Sequence, residues 1–108
     1  MDDLTKEQKA LLSSMYKEVL CFQPALSFEK ANFFLNSNII RERFLPDLSL
    51  SYVTDLCFKL KSKGYISCYP GDNLANSIRL TDDTIIFMEN RFVNTVKEVA
   101  DFYSKIKP

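Results

Sequence analysis

A chain of 108 residues, 46% hydrophobic and 26% charged, is long enough for one globular domain with a modest core, and two glycines with no tryptophan argue against an all-β or loop-rich fold. Fourteen basic residues balance fourteen acidic ones, a zero net charge that counts against strong non-specific nucleic-acid binding. No apolar run approaches bilayer length and the start is acidic and polar, so the expected location is the cytoplasm.

In chain order, Thr5 to Gln8 spell a T-x-x-Q capping box with Leu4 as the staple residue. Leu11, Leu12, Met15, Tyr16, Val19 and Leu20 then recur at helical spacing and predict a helix over residues 6–21, either core or part of a dimer contact. The stretch from Phe22 to Leu26, with Pro24 in its middle, breaks that helix, and Ser27 starts a second. Phe28, Ala31, Phe34 and Leu35 form the second helix's apolar stripe. Asn36, Ser37 and Asn38 end it and start a third through Ile39, Ile40, Phe44 and Leu45, before a turn at Pro46 and Asp47.

Val53, Leu56, Cys57 and Leu60 mark one face of a central helix, with Lys61 and Lys63 near its end and Gly64 as its left-handed stop. Tyr65 to Tyr69 read as a strand, Pro70-Gly71-Asp72-Asn73 as a turn, and Ser77 to Leu80 as the return strand. Thr81, Asp82 and Asp83 cap a last helix. In it, Phe92, Val96, Val99, Tyr103 and Ile106 follow a 4, 3, 4, 3 spacing, a heptad seam suited to a homodimer contact. A helix over 82–106 would reach about 36 Å, more than this core needs.

Chemistry finds little footing. Without histidine, neither an ordinary general base nor a zinc site of usual composition is expected, and the Asp2-Asp3 and Asp82-Asp83 pairs sit where helix N-termini favour acids. Cys21, Cys57 and Cys68 lack C-x-x-C spacing and read as buried reduced thiols. The expectation is no enzyme, no metal and no cofactor.

The run LxxKGYI, turn, IRLTDDTIIFME resembles the end of the recognition helix, the wing and the start of the C-terminal helix in small prokaryotic regulators of the MarR and PadR kind. Leu60, Lys63, Gly64, Tyr65, Ile66, Leu80, Thr81 and Asp82 match that superfamily-level pattern. The glycine that follows LT-x-K there is absent, because Asp83 and Thr84 follow here. The resemblance covers somewhat under half of the chain. It implies an α+β, mainly α, single domain over 1–108: a winged helix-turn-helix with residues 39–45 as its first helix, a recognition helix over 49–64, a two-stranded wing over 65–80 and a long C-terminal helix over 82–106.

By that resemblance the chain is a non-catalytic dimeric transcriptional regulator on double-stranded DNA, of the kind a phage or mobile element carries. Ser51, Tyr52, Thr54 and Lys59 would lie along the groove of the duplex, with Asn73, Asn76 and Arg79 in the wing. Two residues resist this. Asp55 would repel phosphate, and Phe58, placed outward by the 100° helical repeat, is odd for a polar groove and either packs on a neighbouring helix or marks a face that binds protein. The rival expectation is a winged-helix protein-interaction module with its partner at the Phe58 face. A regulator with an effector pocket between the first and last helices is a third.

Overall fold

The computed structural model describes residues 3–22 and 27–91. It is α+β and mainly helical, in the order α1 Lys6–Cys21, α2 Phe28–Ala31, β1 Phe34–Asn36, α3 Ser37–Phe44, α4 Leu50–Ser62, β2 Ile66–Gly71, β3 Leu74–Leu80 and α5 Asp82–Arg91. The strands form one antiparallel sheet in the order β1-β3-β2, so the central strand is the last in sequence.

Local chemistry explains most boundaries. The Thr5 hydroxyl accepts from the Gln8 amide at 3.1 Å while the Gln8 side chain accepts from the Thr5 amide at 3.0 Å, closing the predicted capping box at the start of α1. All six apolar positions predicted for α1 are buried. Ser27, Asn36 and Ser49 cap α2, α3 and α4 by accepting from the amides of Lys30, Ile39 and Tyr52. Gly64, at φ 87°, stops the chain just past α4, a backbone conformation that L side chains rarely adopt.

The β2–β3 hairpin turns on Asp72 and Asn73, whose φ values of 53° and 61° give the two left-handed residues of a type I′ turn. The Asn76 side-chain amide stitches this turn, donating to the Gly71 carbonyl at 2.9 Å. Pro70 lies on an edge strand, where its missing N–H is tolerated. A bulge at Ser77, φ 54°, shifts the register between Ser67 and Tyr69. Because of it, Ala75 and Ile78 both reach the core although the two residues between them would put them on opposite faces of a regular strand.

One sheet face and the helices enclose the core, built on Leu11, Leu12, Met15, Tyr16, Val19, Phe34, Ile40, Val53, Leu60, Ile78 and Met88. Three buried polar side chains tie the elements together. Asn32 brackets Leu80, donating to its carbonyl at 3.0 Å and accepting from its amide at 2.9 Å. Thr84 donates to the Tyr65 carbonyl at 2.8 Å, locking α5 to the start of the hairpin. Ser37 joins α3 to α4 and β3, as described below.

Three sequence expectations need correction. The second helix stops at Ala31, and Phe34 and Leu35 belong to β1, with Phe34 buried and Leu35 exposed as strand alternation requires. The sheet therefore has three strands, not the two of the expected wing alone. Cys21 is exposed at the end of α1, whereas Cys57 and Cys68 are buried. Burial pushes the Cys57 thiol up to about 12 and raises that of Cys68 as well. Since the thiolate is the nucleophile, iodoacetamide at pH 8 should modify Cys21 in the native state and reach Cys57 and Cys68 only after denaturation. Mass spectrometry of the alkylated protein measures this; rapid native labelling of Cys57 would contradict the packing. The heptad positions Phe92, Val96, Val99, Tyr103 and Ile106 lie outside the described residues.

Candidate interaction groove

The α4 helix and the β2–β3 hairpin diverge from their shared core and leave an open groove of about 710 Å³ between them. Leu50, Ser51, Thr54, Asp55 and Phe58 form the helix wall, and residues 70–74 the hairpin wall. Leu50, Phe58, Pro70 and Leu74 give it an apolar lining, with Asp55 and Asp72 exposed on opposite walls. None of the described lining residues is basic.

The sequence-predicted DNA contacts scatter across this geometry. Ser51 and Asn73 are exposed and line the groove. Thr54 was expected on the outer face but is buried, its hydroxyl 2.8 Å from that of Ser37, which also accepts from the Ala75 amide at 3.2 Å. It is a structural tie between α4, α3 and β3. Tyr52 is exposed on the flank, yet its hydroxyl donates to the Glu7 carboxylate at 2.6 Å, and that negative partner raises the phenol's pKa. Asn76 spends its amide on the hairpin's own carbonyls. Arg79 lies outside the groove, its guanidinium 4.9 Å from the Phe33 ring centre. Lys59 is exposed on α4 but does not line the groove.

Phe58 is half-buried against the core cluster and also faces the groove, so it neither stands free in solvent nor is fully sealed. Sequence reasoning passed over Leu50 and Leu74 as groove residues. A leucine directly after a cap and another directly after a hairpin turn were the available signals, since both fall where an element leaves the core. No group of three or more Cys, Asp or Glu side chains converges among the described residues in a way that would hold a metal ion. No described helix is long and apolar enough to cross a membrane. Compared with family models, curated proteins and solved structures, the chain matches none.

Proposed function

We propose that this chain is a non-catalytic winged-helix module that recognises a partner protein, seating an extended basic segment in the groove between α4 and the hairpin. The observation that carries this reading is the make-up of the groove: an apolar lining between Asp55 and Asp72, without a described cation. Apolar side chains of the segment would cover Phe58 and Leu74, removing their surface from water, while its lysines or arginines meet the two carboxylates. A phosphate backbone drawn into the same space would face both negative charges.

The second reading is the dimeric regulator on duplex DNA. The order α3, turn, α4, hairpin favours it, as do the exposed Lys59 and Lys61 toward the end of α4. It ranks lower because Thr54, Tyr52 and Asn76 already have intramolecular partners for the groups that would touch DNA.

A single titration separates the two. A labelled peptide alternating leucine and lysine should bind the wild-type protein, and Asp55→Asn with Asp72→Asn should weaken it by about fivefold or more, as expected for two rim ion pairs. A random-sequence duplex should show no steeply salt-dependent binding. Peptide binding indifferent to both aspartates, or tight duplex binding that collapses with salt, would overturn the protein-partner reading.

A further inference from the structure

The sheet's other face supplies a second surface, independent of the groove. Strand alternation that buries Phe34, Ile78, Ile66 and Cys68 turns Leu35, Arg79, Ser67 and Tyr69 outward, with Phe33 alongside Arg79. Phe33, Leu35 and Tyr69 are 39%, 57% and 65% exposed, an unusual concentration of large apolar side chains on one small face. The two flanking cations are placed alike: the Arg79 guanidinium lies 4.9 Å from the Phe33 ring centre, and the Lys61 ammonium 5.9 Å from that of Tyr69. Neither has a carboxylate partner among the described residues, whose ion pair joins Arg43 to Glu18. Lys30 joins Phe33 and Arg79 around a shallow cleft of about 420 Å³, with Glu29 as the acid there.

We propose that this face binds single-stranded nucleic acid. A nucleotide repeats a flat ring and an anion, and the face repeats a flat ring and a cation, once at Phe33 with Arg79 and once at Tyr69 with Lys61. Bases would stack on the exposed rings, and the phosphates between them would neutralise the two side-chain charges. Stacking of this kind requires bases free of a duplex, so the single strand is the ligand. The zero net charge is no obstacle, because Lys30, Lys61 and Arg79 border this face while the described groove lining holds Asp55 and Asp72 without a cation.

The test is fluorescence anisotropy of a labelled oligothymidine of about twelve nucleotides, long enough to span such a site. Binding is expected to weaken about sevenfold between about 50 and about 200 mM salt, the slope for two neutralised phosphates on a single strand. Tyr69→Ala and Phe33→Ala should each weaken it at least fivefold, roughly one stacked base, while Tyr69→Phe retains it. Both rings are exposed, so circular dichroism of the alanine variants should match wild type. Asp55→Asn with Asp72→Asn should leave oligonucleotide binding unchanged, so failure of the groove reading and failure of this one are distinguishable. The proposal is overturned by no anisotropy change at high micromolar protein, by equal affinity for the duplex form, by indifference to both alanine variants, or by polyglutamate displacing the oligonucleotide as well as unlabelled oligothymidine does.

Discussion

Replacing Phe34 with alanine is expected to lower stability by about 3–5 kcal/mol, the usual cost of deleting a buried phenylalanine. Phe34 is 2% exposed, pairs across β1–β3 with Ile78, and meets Phe44 edge-on with ring centres 6.0 Å apart. Its ring thus joins the sheet to α3, and the cavity left behind would be lined from both sides. A domain of this size has a total stability of about 5–15 kcal/mol, so the variant would retain only part of it. Leu35→Ala, one residue on, should cost about 0.5 kcal/mol or less, because Leu35 is 57% exposed. Urea unfolding of the two variants measures the contrast. Equal losses would show that β1 does not alternate between core and solvent, and would return this stretch to the helix that its spacing suggested.

That stretch shows where the sequence was legible and where it was not. Capping signals are local, so Thr5 with Gln8, Ser27 and Asn36 mark helix starts that the structure keeps. The hairpin was legible for the same reason: Gly64, the Pro-Gly-Asp-Asn run and Thr81 are short-range punctuation. The strand β1 is a three-residue element, too short to display alternation, and Phe28, Ala31, Phe34 and Leu35 happen to fit a helical stripe. Asn32, which leaves the helical region and brackets Leu80 far along the chain, decides the matter through hydrogen bonds that no local pattern reveals.

The groove was legible by halves. Asp55 and Phe58 were conspicuous on the helix repeat, and their clash with a DNA-reading surface was visible from sequence. Their pairing with Leu74 and Asp72 across an open space depends on how the hairpin leaves the core, which is a tertiary fact. Arg79 illustrates the same limit. It sits on the return strand as expected, but the sheet face it occupies is set by the bulge at Ser77 and by β1, the strand that was not anticipated.

Ser37→Ala should rank next in cost, at about 2–4 kcal/mol, although it removes a single oxygen. Ser37 is fully buried at the point where β1 leaves the sheet and α3 begins, and its hydroxyl serves the Ala75 amide in place of the departing strand. Without it, that amide and the Thr54 hydroxyl are both left buried without the partner they have now, each costing about 1–3 kcal/mol. Thr54→Val alone should cost less, since Ser37 would still accept from Ala75. In the double variant the facing pair becomes apolar on both sides, and only the Ala75 amide remains unsatisfied. Its loss should therefore fall short of the sum of the single losses by about 1 kcal/mol, a coupling that a double-mutant cycle in urea reads directly. Strict additivity would mean that the two hydroxyls do not interact. It would also reopen Thr54 as an outward-facing contact, and with it the case for α4 as a reader of DNA.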